Sequence, residues 1–199
     1  MDSAANSLRK QWKQVRELDG ENIGERRNTL MGIEGVAGRV YWDAVTGIIS
    51  GRTEFLGREH RGATDFVNAM LNYGYGILNS TVWGALLNAG LEPFAGFLHT
   101  DRSGKPSLVL DLVEEFRQPV VDRAVLSAVN LGMPVRMDGG LLDREFRELI
   151  GARVLERLSC PEPYRGKEYQ VRSIIQMQAR RLASFLRGGE PYKAFSFKW

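Results

Sequence analysis

Residues 96–123 read GFLHTDRSGKPSLVLDLVEEFRQPVVDR and set a histidine and several carboxylates into an otherwise apolar part of the chain. His99 precedes a short loop that contains glycine and proline, and an apolar segment carrying Asp111, Glu114 and Glu115 follows. Charged groups enter apolar surroundings only when something compensates for them. A divalent metal ion is the compensation that this stretch suggests.

The three acids are spaced for one face of a helix. Offsets of three and four residues make Asp111, Glu114 and Glu115 neighbours there. The alternative is a solvated acidic face that pairs with Arg117 or Arg123. The apolar density of the segment and the nearby histidine favour a metal site. One imidazole with carboxylates suits Mg²⁺ or Mn²⁺ better than structural zinc.

Glu34 is a further candidate, in the segment LMGIEGVAGRVYW (residues 30–42), where three glycines stand at helical spacing. A glycine within a helix costs about 1 kcal/mol relative to alanine. The spacing therefore predicts very close packing against another backbone or a ligand. A carboxylate on such a small, apolar face needs a partner. That partner is either an ion or an arginine such as Arg39, and the residues leave both open.

The composition is that of an ordinary globular chain, with 43% hydrophobic and 26% charged residues over 199 positions. No apolar run is long enough to span a membrane, and the polar N-terminal segment gives no support for secretion. The single cysteine, Cys160, excludes an internal disulfide and a cysteine-based zinc site. It favours a reducing, cytoplasmic location.

The net charge of +3 is unevenly distributed. Residues 164–199 carry eight Lys and Arg against two Glu, whereas residues 31–163 carry thirteen against seventeen acids. A basic end beside an acidic middle is what a metal site next to a phosphate-binding surface would show. A solvated basic helix explains the charge alone more simply, so both interpretations stay open.

Hydrophobic periodicity predicts an all-α fold without any strand pair. The predicted helices cover residues 4–18, 22–49, 64–89, 106–130, 141–158 and 168–186. Thr64 is predicted as an N-cap, and Pro119 should kink the fourth helix. We expect the apolar and aromatic tail, residues 191–199, to fold back onto the body.

Three ordered segments resemble the CRISPR-associated integrase of spacer acquisition, the Cas-one family. They are LMGIEGVAGRVYW, the run from NAMLNYGYGILN (residues 68–79) through GFLHTDRSGKPSLVLDLVEEF, and QARRLASFLRGGEPYKAFSFKW (residues 178–199). The resemblance runs from about Leu30 to Trp199. It implies a metal-dependent DNA integrase and endonuclease of CRISPR adaptation. Such an enzyme inserts DNA fragments by attack of a 3′-hydroxyl on a target phosphodiester, and it cleaves branched DNA.

The resemblance also implies roles for individual residues. It assigns the metal ligands to Glu34, His99 and Glu114, with Mg²⁺ or Mn²⁺ as the ion. Asp111 lies beside the metal in the family and is needed for activity. Glu115 is expected either to contact a metal ligand without binding the ion itself or to lie on the surface.

Acidic ligands alone repel DNA, so cations are expected nearby. Lys105, in the loop between the histidine and the acids, is the first candidate for a phosphate contact. Arg102 and Arg117 are weaker candidates. Arg180 and Arg181 are expected to extend a basic surface.

Members of the family typically begin with a β-rich domain that pairs two subunits and precedes the helical catalytic domain. This sequence opens on a helix, so we expect residues 1–20 to be a remnant of the interdomain linker. Residues 21–199 are then the catalytic domain, without the usual N-terminal β-domain. The partners implied are DNA, a second copy in a homodimer and the small Cas-two protein, with no membrane.

Two alternatives stay open at the level of the sequence. One is a transposon-encoded integrase of the same catalytic family. The other is a truncated DNA-binding or assembly module without activity, in which the acids do not form a proper metal site.

Overall fold

The computed structural model describes residues 2–19, 22–59, 63, 65–100, 102–133, 137–138 and 141–197. Over these ranges the chain is mostly helical, and it divides into two compact units, Met1–Gly62 and Ala63–Trp199. None of the helices in the described ranges combines the length and the apolarity needed to cross a bilayer.

The first unit holds two helices that pack against each other, α1 (Asp2–Arg16) and α2 (Ile23–Ile49). Asn22 caps α2, because its side-chain oxygen accepts the backbone N–H of Glu25 at 3.2 Å. This confirms the predicted start of the helix near Asn22. The domain division predicted at residue 20 stays a prediction.

The second unit is built around α3 (Phe66–Asn88), which is buried on several sides. Asp65 is its N-cap, with the carboxylate accepting the N–H of Asn68 at 2.8 Å. The prediction that Thr64 caps this helix was wrong, because the adjacent aspartate takes that role from an extended backbone conformation. Thr64 itself lies outside the described residues.

The elements that pack against α3 supply the rest of the core. In chain order they are α4 (Ser107–Val113), a π-helical segment (Arg117–Asp122), α5 (Arg123–Asn130), α6 (Arg144–Ser159) and α7 (Val171–Leu186). The fully buried side chains of α3 include Val67, Met70, Leu71, Leu78, Val82 and Leu86. A helix that is apolar around so much of its circumference belongs at the centre of its domain.

Two short antiparallel hairpins correct the all-α prediction. They are β1 (Met137–Asp138) with β2 (Leu141–Leu142), and β3 (Pro161–Tyr164) with β4 (Lys167–Gln170). Arg165 and Gly166 join β3 to β4 with φ values of 50° and 83°, and a type I′ turn requires positive φ at both positions. Strands of two to four residues show too little alternation to be found by periodicity. Because β4 reaches Gln170, α7 begins at Val171 and not at residue 168.

The C-terminal tail folds back as predicted, as far as residue 197. The ring of Phe195 stacks on that of Phe116, with the centroids 5.5 Å apart. The guanidinium groups of Arg123 and Arg157 lie 5.6 and 5.7 Å from the ring centroid of Phe197. These contacts bring the tail against the segment that follows α4.

Candidate metal centre

Asp111, on α4, holds the segment that carries His99. Its Oδ2 accepts the backbone N–H groups of Phe97 at 2.5 Å and Leu98 at 3.2 Å. Its Oδ1 accepts the backbone N–H of His99 at 3.0 Å and lies 2.7 Å from His99 Nδ1. One carboxylate therefore fixes both the backbone of the loop and the imidazole ring.

This contact decides which nitrogen of His99 can bind an ion. Nδ1 faces Asp111, so Nε2 is the nitrogen left for a ligand. The side chains of His99 and Asp111 are only 15% and 13% exposed, which shields their interaction from water. In proteins, the ring nitrogen of a metal-binding histidine that does not bind the metal commonly donates a hydrogen bond to a carboxylate in this way.

A close approach of two backbones keeps the loop against α4. A Cβ added at Gly96 would lie 2.6 Å from the carbonyl oxygen of His99 and 2.6 Å from the Cβ of Ser107. Only glycine fits there without a shift of the backbone. The hydroxyl of the buried Ser107 also donates to the carbonyl of Thr100 at 2.9 Å. The His99 segment is thus held at both of its ends.

Glu114 follows Asp111 by one helical turn and keeps helical dihedral angles, φ −56° and ψ −31°. Residues three apart on a helix are neighbours, so Glu114 extends from the side on which Asp111 meets His99. Its side chain is 40% exposed, and its Oε1 accepts a hydrogen bond from Arg117 Nη1 at 2.8 Å. Oε2 is the oxygen that an ion would take.

Glu115 has a different role from either of those expected for it. Its Oε2 accepts hydrogen bonds from Gln178 Nε2 at 2.8 Å and from the backbone N–H of Phe195 at 2.7 Å. Its Oε1 accepts the hydroxyl of Tyr192. Glu115 therefore anchors the C-terminal tail. Both of its carboxylate oxygens are engaged by these contacts.

The buried position of Glu115 gives the protein a specific pH dependence. Burial raises the pKa of this carboxyl above its ordinary value of 4.5, although its hydrogen bonds offset part of the rise. The folded state then keeps a proton at pH values where the unfolded chain has lost it. This contribution to stability is complete below pH 4.5 and is lost as the pH rises through the folded pKa.

We therefore expect the free energy of unfolding of the wild type, minus that of Glu115→Gln, to fall as the pH rises through this window. Urea unfolding at a series of pH values measures the difference. Glutamine is neutral at every pH, so the subtraction isolates the titration of this one group. A difference that stays flat, or that grows with pH, would contradict the expectation.

Glu34 lies in the middle of α2, in the first unit, and is exposed. The alternative interpretation expected a buried glutamate, and Glu34 is not buried. Within this unit, a Cβ added at Gly32, Gly35 or Gly38 would meet no atom within 4 Å. The predicted close packing against another backbone is therefore absent within this unit at these three glycines, and the ligand interpretation stays a prediction. The place of Glu34 beside His99 and Glu114 stays a prediction.

The candidate metal-ligating atoms of the second unit fit part of a metal site. Over the described part of each unit, no three His, Cys, Asp or Glu side chains form a group that could hold an ion. The second unit holds two candidate ligands, Nε2 of His99 and Oε2 of Glu114, while Asp111 orients the first. One nitrogen with carboxylate oxygen suits Mg²⁺ or Mn²⁺, provided that a further ligand such as Glu34 is added.

Two of the predicted DNA-contacting cations sit on a tight turn after His99. The backbone N–H of Lys105 donates to the carbonyl of Arg102 at 2.9 Å, and Gly104 adopts a φ of +75° between them. Arg102 is exposed and Lys105 is half-buried. The turn therefore presents both cations just beyond the candidate ligand.

The two arginines of α7 differ in their surroundings. Arg180 is exposed, whereas Arg181 is half-buried and its charge acts on Glu115. Arg117 makes the ion pair with Glu114 that one interpretation of the acidic face expected. A role for these three arginines in DNA binding stays a prediction.

A buried pair next to this centre was not predicted from the sequence. The hydroxyl of Tyr75 donates to Asp122 Oδ1, and the two residues are 8% and 2% exposed. Burial, and then the charge of Asp122, raise the pKa of Tyr75, so the hydroxyl keeps its proton and remains a donor. The available signal was a lone aspartate in the apolar run PVVDRAV, residues 119–125.

The chain is similar in sequence to proteins named Cas1. The family profile described as "CRISPR associated protein Cas1" matches residues 1–150. A protein named CRISPR-associated endonuclease Cas1 1 from Archaeoglobus fulgidus is 43% identical over 214 residues, covering 98% of this chain and 62% of that protein. A protein of the same name from Francisella tularensis subsp. novicida is 37% identical over 172 residues, covering 86% of this chain and 53% of that protein.

Solved structures agree with the sequence relatives. A Cas1 protein from Thermotoga maritima superposes with a TM-score of 0.80 at 28% identity, covering 96% of this chain and 60% of that one. A casposase bound to integration product superposes with a TM-score of 0.76 at 29% identity, covering 81% and 51%. The chain thus spans about half to three fifths of the length of these relatives. The resemblance found in the sequence is confirmed: the chain belongs to the Cas1 family.

Proposed function

We propose that this chain carries the catalytic part of a metal-dependent DNA integrase and endonuclease of CRISPR adaptation. The observation that supports this most directly is the imidazole of His99, oriented by Asp111 next to Glu114, in a chain of the Cas1 family. Relatives named as endonucleases, and a casposase bound to integration product, point to the same chemistry.

In the proposed reaction, a DNA 3′-hydroxyl or a water molecule attacks a phosphodiester. A bound Mg²⁺ or Mn²⁺ would supply Lewis-acid chemistry, polarising the phosphate and stabilising the oxygen that attacks or leaves. Asp111 keeps the proton on Nδ1 of His99, so that Nε2 stays a ligand. Glu114 contributes an oxygen, and Glu34 is assigned as the third ligand by the family resemblance. No side-chain nucleophile is required.

The DNA would be held by the cations around the centre. Lys105 and Arg102, on their turn beyond His99, would contact phosphates, and Arg180 and Arg181 would extend the surface along α7. Each phosphate contact releases counterions, so binding should weaken steeply with salt. A flat salt response would remove these cations from the proposal.

The structural similarity to a casposase supports a second candidate function, a transposon-encoded integrase of the same catalytic family. The two differ in their partners. A CRISPR integrase would act as a homodimer together with the Cas2 protein, whereas the transposon enzyme would integrate without it. Strand transfer that depends on added Cas2 would favour the first.

A metal-dependence experiment tests the proposal. Branched DNA with labelled, free 3′ ends is incubated with the full 199-residue chain and Mn²⁺ or Mg²⁺, with and without a chelator. We expect cleavage and strand-transfer products that disappear on chelation and return when Mn²⁺ is restored, because the side chains alone supply no nucleophile.

Two outcomes would overturn the proposal. Product that persists in the chelator would exclude the metal centre. DNA binding without product, with either ion, would support the module without activity.

A further inference from the structure

A buried pair of side chains lies on the protein side of Glu114. Tyr75 comes from α3 and Asp122 from the end of the π-helical segment, and both are almost inaccessible to water. The Tyr75 hydroxyl donates to Asp122 Oδ1. A carboxylate at this depth is tolerated when it accepts hydrogen bonds.

Arg117 joins the pair to Glu114. Its guanidinium carbon lies 4.8 Å from the centroid of the Tyr75 ring, at cation–π distance. Its Nη1 lies 2.8 Å from Glu114 Oε1, and the side chain is only 23% exposed. An ion pair between two exposed side chains is mobile and weak. Here the aromatic face confines the guanidinium, so it presents a fixed donor to the glutamate.

The π-helical segment, Arg117–Asp122, makes this arrangement possible. Its backbone hydrogen bonds run from residue i to i+5, so residues five apart lie one turn apart. An α-helix would instead align residues three or four apart. Pro119, inside the segment, has no N–H to donate and breaks the α-helical pattern. Arg117 and Asp122 therefore both reach Tyr75 from the two ends of the segment.

We propose that Tyr75 and Asp122 are positioning residues that fix Arg117, and that Arg117 in turn holds Glu114 in the orientation that binds a divalent ion. This rests on the metal centre of the proposed function. The hydrogen bond to Asp122 fixes the ring of Tyr75. That ring in turn confines the guanidinium of Arg117. Replacing a residue that holds a metal ligand in place typically changes metal affinity or activity about 10- to 100-fold.

The test is the Mn²⁺ affinity of the full chain, measured by isothermal titration calorimetry and by the electron paramagnetic resonance signal of free Mn²⁺. The variants are Arg117→Lys, Tyr75→Phe and the double variant. All of them keep the net charge, so the direct electrostatic effect of the arginine on the ion is unchanged. Both single substitutions are conservative, and circular dichroism checks that each variant is folded.

We expect Arg117→Lys to weaken Mn²⁺ binding about 10-fold, because a lysine ammonium lacks the planar group that stacks on the ring and faces the carboxylate. Tyr75→Phe should weaken it by less. The double variant should match Arg117→Lys alone, because Tyr75 acts through the guanidinium. The control is Arg144→Lys, which changes an exposed pair with Glu148, 2.9 Å apart on α6, and should leave the affinity unchanged.

The outcomes separate this inference from the proposed function. A wild type that does not bind Mn²⁺ overturns the metal centre, and the inference falls with it. A wild type that binds Mn²⁺, with unchanged or tighter binding by Arg117→Lys, overturns the inference alone. Losses that simply add in the double variant would show that Tyr75 does not act through Arg117, which also overturns it.

Discussion

Replacing His99 with alanine is expected to reduce Mn²⁺-dependent DNA cleavage and strand transfer by about 10³-fold or more. The substitution removes Nε2, the ring nitrogen that Asp111 leaves for an ion. A catalytic ion contributes several kcal/mol to transition-state stabilisation, and each 1.36 kcal/mol is about tenfold in rate. Single-turnover cleavage of branched DNA at saturating protein measures the loss.

His99→Asn is the matched variant for this experiment. An asparagine amide can donate to Asp111 from about the position of Nδ1, but it has nothing in the place of Nε2. We expect it to fold like the wild type and to be as inactive as His99→Ala. Activity close to that of the wild type in both variants would reject His99 as a ligand.

Replacing Asp111 with asparagine is expected to lower both stability and activity. Asp111 accepts three backbone N–H groups and faces Nδ1 of His99. The asparagine side chain has only one acceptor oxygen, and its NH₂ group would face some of these backbone N–H donors. Part of the set of backbone N–H groups therefore loses its acceptor. A buried donor left without an acceptor costs about 1–3 kcal/mol. The ring of His99 also loses its orientation, which should cost about 10- to 100-fold in activity.

Urea unfolding and the cleavage assay together measure the two effects. Asp143→Asn is the control, because among the described residues the Asp143 carboxylate accepts one N–H, that of Phe146 at 2.7 Å, as the N-cap of α6. Asparagine caps a helix about as well as aspartate, so this variant should have nearly the stability and activity of the wild type. An Asp111→Asn protein that is as stable and active as the control would refute the role derived for this carboxylate.

The starts of two helices could be predicted because their signals are local. α2 begins beside Asn22 as expected, and the cap of α3 was missed by a single position, at Asp65. The hairpin that ends at Gln170 was missed, since four-residue strands carry almost no periodic signal. Capping and helical periodicity depend on a few consecutive residues, whereas strand pairing does not.

From the sequence, the family resemblance predicted His99, Asp111 and Glu114 as parts of one site, and helical spacing placed the two acids on one face. The resemblance also favoured Glu114 over Glu115 as a ligand, but only the tertiary structure showed how the surroundings of the two glutamates differ. The two adjacent glutamates carry the same local signal, but neighbouring residues on a helix point about 100° apart. The returning tail surrounds Glu115 with donors from Gln178, Tyr192 and Phe195, and leaves Glu114 at the surface with Arg117. Contacts across more than sixty residues engage Glu115, and no local pattern encodes them.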